Sequence, residues 1–364
     1  MSESILEYSF ERYKKVAKTG LSNLKDTSYI NAVLQCLSNI YEIADYLLNP
    51  NNQININKNM QDYPLAFVIE RLFVHIYPYP FKEGEVYTTK HIFTILATFN
   101  KIYQNYKRKN PNDLINTILN RLSTELNIKK DNADFKIDNN TYLDKQTLIK
   151  EYMNINEEKN NSIIYNNLYW IELKDFHCNK CKGKFYEMKT YPTFQLDILN
   201  YYNKEINEKI HLKDLINFYS HKDTKQIHCE NCNNYKMDVD VSAKIYRSPK
   251  VFIFLLYNGD DDNTKKNENF DKFTYIIEEN IQIENINENI NRNNKLYKNY
   301  TLFGIVSISM KDDKYIGFSK SPIDKEWYLY DDERVQKINI DFISKSFNEY
   351  KNYLPCILFY RADD

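Results

Sequence analysis

Two cysteine pairs, Cys178-Asn179-Lys180-Cys181 and Cys229-Glu230-Asn231-Cys232, carry the clearest chemistry in this chain. Each C-x-x-C can set two thiolates on one turn, and two such turns complete a tetrahedral four-sulfur site for zinc. Four thiolates close the coordination sphere. Such a metal holds structure rather than catalysing, and contributes on the order of 10 kcal/mol to folding. The pairs lie much farther apart than in a compact zinc ribbon, so the metal would staple the far ends of two hairpins. His177 and His228 each directly precede a first cysteine and are read as neighbours, not ligands. A redox role would call for a thioredoxin-like βαβ setting, which neither pair has. Unliganded buried thiols are the bland alternative, and the pairing argues against them.

The elements that must position these groups follow from pattern. From about residue 23 to 127 the chain reads mostly helical. Asn31–Leu37, Pro64–Phe73 and Leu114–Leu122 all space their apolar residues for a half-buried helix. From about residue 165 short β-rich runs dominate, among them Tyr169–Leu173 and Tyr300–Val306. Helices first and strands later argue for an α+β fold. Two stretches rich in Asn, Lys, Asp and Glu, Asp131–Asn161 and Gly259–Asn294, read as loops or partly disordered insertions.

Composition bounds the rest. The chain has 364 residues, 42% hydrophobic and 27% charged, enough for a sizeable core. Lys+Arg 49 against Asp+Glu 50 gives a net charge of -1, so no overall field points to nucleic acid or membrane. The longest apolar runs, such as Val251–Tyr257, are strand-length and too short to span a bilayer. Met1–Glu7 has no basic flank and no hydrophobic signal core, so cytosol or nucleus is the expected compartment.

A resemblance sharpens this reading. Gly20-Leu21-Ser22-Asn23-Leu24-Lys25-Asp26-Thr27-Ser28-Tyr29-Ile30-Asn31 is similar to G-L-x-N-L-G-N-T-C-Y-M-N, which opens the catalytic domain of ubiquitin-specific proteases. Farther along, Glu42–Leu48 resembles L-R-D-Y-F-L, and Thr193–Ile198 resembles the strand ending in S-L-D-I. Lys314–Lys320 resembles H-Y-T-A-Y-x-K, Glu326–Val335 resembles x-W-Y-x-F-D-D-x-x-V, and Pro355–Arg361 resembles A-Y-x-L-F-Y-R. The resemblance implies a papain-like fold with a thumb over about 20–165, zinc-clipped fingers over about 166–250 and a palm over about 251–364. Residues 1–19 would be an N-terminal extension, with no accessory domain expected. The two cysteine pairs match the family's fingers.

In that family a cysteine attacks the isopeptide carbonyl, a histidine activates it, and an Asp or Asn orients the imidazole. An asparagine five residues before the nucleophile donates to the oxyanion. Carried over, Asn23 and Asp331 match, whereas Ser28 stands for the cysteine and Lys314 for the histidine. A serine alone is the usual silencing substitution, but Lys314 is not explained that way. Ser–Lys pairs do serve as hydrolytic dyads, provided the lysine pKa is lowered. Asp331 beside Lys314 would raise it instead, so an inert ion pair is the expectation.

The family's acidic motif Q-x-D-A-x-E-F faces the basic tail of ubiquitin. Here Asp113 supplies the first acid and Asn116 replaces the second. The bland reading of Asp113 is a cap for a helix beginning at Leu114. The family's L-K-R-F is also missing, with Leu256-Tyr257-Asn258-Gly259 in its place. Weakened recognition of the ubiquitin tail is implied, leaving the globular body for fingers and palm to hold. The resulting expectation is a catalytically inactive homologue acting as a scaffold subunit in a larger protein assembly. The local match of Asn31–Asn39 to N-A-V-L-Q-x-L-S-N adds the splicing-associated inactive branch, in a ribonucleoprotein complex, as an alternative. A hydrolase using Ser28 and Lys314 is the third reading.

Overall fold

The helix Ser28–Ser38 (α1) is buried along its whole length, as its sequence SYINAVLQCLS requires of an element with almost no charged face. It is the axis around which the computed structural model is built; residues 17–53, 61–77, 85–129, 144–205, 209–257, 274–285, 296–349 and 352–363 are described. Around α1 stand α2 (Tyr41–Leu48), α3 (Pro64–Ile76), α4 (Lys90–Phe99), α5 (Pro111–Glu125) and α7 (Ile163–Leu168), while α6 (Lys145–Lys159) packs in a separate cluster. Proline at the first position opens α3 and α5, where its missing N–H costs nothing. A short parallel pair, β1 (Gly20–Leu21) with β2 (Val86–Tyr87), anchors the loop entering α1.

Two sheets follow. The smaller one has four antiparallel strands in the order β4 (Lys184–Tyr191), β3 (Trp170–Cys178), β8 (Asn234–Arg247), β7 (Asp223–Cys229). The larger one runs β15 (Arg334–Ile338), β14 (Trp327–Asp331), β13 (Lys314–Lys320), β12 (Leu296–Ser309), β16 (Tyr353–Ala362), β9 (Val251–Tyr257), β5 (Phe194–Asp197), with β11 (Asn280–Asn285) also on β12. Strand β6 (Lys209–His211) pairs with β10 (Thr274–Ile276), and helices α8 (Ile198–Glu205), α9 (Leu212–Tyr219) and α10 (Ile340–Ser344) lie among the strands. Both faces of the larger sheet are covered, which explains why β9 reads as an unbroken apolar run. Val251, Ile253 and Leu255 join the core under the helices; Phe252, Phe254 and Leu256 join a second core on the other face.

Three expectations need correction. The polar stretch Asp131–Asn161 is not all loop: α6 occupies Lys145–Lys159, capped by Asp144, whose side chain accepts from the N–H of Gln146 and Thr147. Its buried apolar residues form one narrow strip, Leu148, Ile149 and Tyr152, packed with Ile171, Leu173, Met188 and Tyr246, so composition masked the period. Gly259–Asn294 likewise contains β10 and β11; the remaining parts of both stretches, 131–143, 259–273 and 286–294, lie outside the described residues. Finally, Asp113 is not a cap. Helix α5 starts at Pro111, and the Asn110 side chain accepts from Asn112 N–H.

Candidate functional site

The loop before α1 is folded by its own side chains. Asn23 Oδ1 accepts from Thr27 N–H at 3.1 Å and from its hydroxyl at 3.2 Å, while Leu24 N–H donates to Thr27 Oγ1 at 2.8 Å. Lys25 sits between them in the left-handed region with φ 85°, a conformation that suits glycine. The amide of Asn23 is turned toward Asp332 Oδ2 at 2.9 Å, and Asn31 Nδ2 donates to Asp332 Oδ1 at 2.8 Å. Burial raises the Asp332 carboxyl pKa, as does the Asp331 charge, against the lowering effect of the two amides. Sequence reasoning gave Asp332 no role; the doubled acid closing β14 was the available signal.

Ser28 begins α1 and is only 6% exposed. Its Oγ accepts from the backbone N–H of Tyr315 at 3.1 Å, which sets β13 against the helix start. The strand can come this close because Gly317 faces the helix: a Cβ there would stand 3.1 Å from Ala32 O. Lys314 precedes Tyr315, and its Nζ lies 2.5 Å from Asp331 Oδ1 on the neighbouring strand β14. The contact is an ion pair between partly buried side chains. Partial burial pulls the Lys314 pKa down, but Asp331, Asp332 and Asp312 outweigh it and the net shift is upward.

Thus Asn23, Ser28, Lys314 and Asp331 converge where α1 meets β13 and β14. Ser28 and Lys314 share no hydrogen bond among the described residues. Asp113 is exposed on the first turn of α5, where its carbonyl accepts from Thr117. Asn116, in the same helix, accepts from Thr193 Oγ1 at 2.7 Å and so ties α5 to the segment entering β5. The β12–β13 connection is a hairpin turn, Met310–Asp313, closed by Asp313 N–H to Ser309 O at 3.0 Å.

At the far end of the four-stranded sheet, Cys178, Cys181, Cys229 and Cys232 bring their sulfurs within 4.8 Å of one another. Cys178 and Cys232 are 3.8 Å apart, as are Cys181 and Cys229. A tetrahedron with metal–sulfur bonds of about 2.3 Å has edges of about 3.8 Å. Each turn continues into a left-handed residue, Lys182 and Asn233, and Gly183 N–H donates to Cys181 Sγ at 3.4 Å. The set could therefore hold one metal ion. His177 and His228 are outside it, and His228 stacks on Tyr235 instead.

A family model described as ubiquitin carboxyl-terminal hydrolase matches residues 19–360. The chain belongs to that family. Over 165 residues it is 23% identical to "Ubiquitin carboxyl-terminal hydrolase 4" of Bos taurus and, equally, of Pongo abelii; the match covers 44% of this chain and only 17% of each relative. Among solved structures, it is similar to a chain of the SAGA Ubp8/Sgf11/Sus1/Sgf73 DUB module bound to ubiquitin aldehyde. That likeness has a TM-score of 0.69 at 16% identity and covers 100% of this chain and 75% of that one. A yeast SAGA DUB module with an Sgf73 mutant gives a TM-score of 0.67 at 16% identity, covering 97% and 70%. The fold is therefore the family's thumb, fingers and palm: the helices around α1, the four-stranded sheet and the larger sheet. Among the described residues no helix is long and apolar enough to cross a membrane.

Proposed function

We propose that this chain is a catalytically inactive member of its family that works as a protein-binding subunit of a larger assembly. The observation carrying this reading is the Lys314–Asp331 ion pair at 2.5 Å. A serine hydroxyl attacks a carbonyl only when a neighbour takes its proton. Lys314 holds the histidine position, and its raised pKa keeps it an ammonium at neutral pH, with no lone pair to accept that proton. Asn23, at the oxyanion position, has one of its amide N–H groups bonded to Asp332, which leaves the other as the donor available to an oxyanion.

In this proposal the four fingertip cysteines hold structural zinc, the metal that a closed set of four thiolates favours. Ubiquitin is a candidate partner through its globular body, while the single acid Asp113 opposite Asn116 weakens the hold on its tail. Similar folds occur in modules with several protein subunits and with ubiquitin aldehyde, which supports an assembly role in the nucleus or cytoplasm. Calorimetric titration of the zinc-loaded protein with ubiquitin, followed by a ubiquitin–fluorophore cleavage assay on the same sample, tests the proposal. Absence of cleavage is the expected result, and binding would make the chain a ubiquitin reader. Cleavage that Lys314→Met abolishes would overturn it in favour of a Ser28–Lys314 hydrolase.

A further inference from the structure

We infer that the segment Tyr106–Arg108 is a strap closing the thumb–palm cleft over Ser28, so that a partner is met by its folded body and not by a tail threaded to residue 28. The strap is tied on both sides. On the thumb side, Asp26 N–H donates to Tyr106 O at 3.3 Å, and the Tyr106 ring stands edge-on to Phe93 at 5.1 Å. On the palm side, Arg108 Nη1 reaches the β12–β13 turn, 3.0 Å from Asp313 O and 3.1 Å from Asp313 Oδ1. The same guanidinium lies 4.8 Å above the ring of Tyr315. Tyr315 is the residue whose backbone N–H is bonded to Ser28 Oγ, so Arg108 is stacked on the ring of the residue that holds Ser28.

Arginine suits this post. Its Nη1 meets both oxygens of Asp313 while its planar face stacks on an aromatic ring, and that stacking is what a compact ammonium does not reproduce. Tyr315 is in turn edge-on to Tyr29, the residue after Ser28. Closing the cleft therefore rigidifies the start of α1. Arg108 Nε is buried without a partner, which leaves one donor of the latch unused. The choice of ubiquitin as partner rests on the proposed function; the closure itself does not.

The test separates the two. Ser28→Cys places a thiol under the strap, and maleimide labelling of the residue-28 peptide is followed by mass spectrometry with zinc kept saturating. Adding Arg108→Ala is expected to speed labelling at least tenfold, and adding Asp313→Asn several-fold. Asp313 sits in the left-handed region at φ 51°, which Asn tolerates, so the second variant keeps the turn if the first fails to fold. Equal labelling rates in the parent and a folded latch variant overturn the strap. In a second arm, ubiquitin and ubiquitin lacking its C-terminal tail are titrated against the zinc-loaded protein. Equal binding, or no binding of either, agrees with a closed cleft, and tighter binding of the tailed form overturns it.

Discussion

At the fingertip four like donors converge and the backbone is shaped to them; in the cleft unlike groups are held together by hydrogen bonds and an ion pair. Cys178, Cys181, Cys229 and Cys232 converge through two turns with the same left-handed continuation. Around Ser28, Asn23 still braces Thr27, Asn31 still reaches Asp332, and Lys314 still faces Asp331. The contrast teaches that the cleft residues have a second task. Asn23, Asn31 and Asp332 join the entering loop to the β14–β15 turn, so losing a reaction there need not release the frame. A thiolate that leaves the fingertip has no such second task.

The largest effect should therefore come from breaking the fingertip. Cys181→Ser, or chelation of the wild type, forfeits much of a binding energy on the order of 10 kcal/mol. Amide exchange should show β3, β4, β7 and β8 losing protection while α1 and the palm keep theirs. Loss of protection throughout the chain would mean that the two regions are not separable.

The next test rebuilds the cleft chemistry. Ser28→Cys with Lys314→His places a thiol at the start of α1 and an imidazole beside Asp331, and a positioned base contributes about 10²–10⁴-fold. With Arg108→Ala added, ubiquitin–fluorophore cleavage should rise about 10²-fold over Ser28→Cys alone. Without the arginine change it should stay near baseline. A double variant as fast as the triple would show that the strap is no barrier.

A smaller effect is expected at the frame itself. A Cβ on Gly20 would lie 2.2 Å from Glu333 O, and a backbone oxygen cannot swing aside. Gly20→Ala must move β1 or the turn, straining the 2.8 Å bond from Leu21 N–H to Asp332 O. Overpacking of this kind costs about 1–3 kcal/mol. Urea denaturation should read that loss with metal content unchanged, since the four cysteines sit on the separate four-stranded sheet. Release of zinc by this variant would couple the two regions.

How much of this was legible in the chain differs between the regions. The convergence of the four cysteines could be read from spacing, because two C-x-x-C pairs have few other uses. The cleft positions came from matched motifs, and the Lys314–Asp331 pair followed from those positions together with the opposite charges. Arg108 carried no signal: a basic residue among Lys107 and Lys109 looks like solvated surface until the β12–β13 turn brings Asp313 and Tyr315 to it. Helix α6 was hidden for a related reason. A narrow buried strip suffices for a helix with a sheet to lie on, and the sheet is supplied by strands outside the helix's own segment.

The gentlest probe is Lys314→Met, and it bears most directly on what the cleft has become. Lys314 is about a third exposed, so solvent screens the pair and its contribution is about 0–1 kcal/mol. Its folded pKa is raised above the ordinary 10.5, so the stabilisation is fully present below that value and is lost as pH rises through the folded pKa. The stability difference between wild type and Lys314→Met should be small and flat from neutral pH to about 10, then close at higher pH. A lysine poised as a general base would behave oppositely. Its pKa would be depressed, and the difference would change near neutrality, where the wild type sheds the proton. Urea midpoints of the two proteins across this range decide between an ion pair and a base.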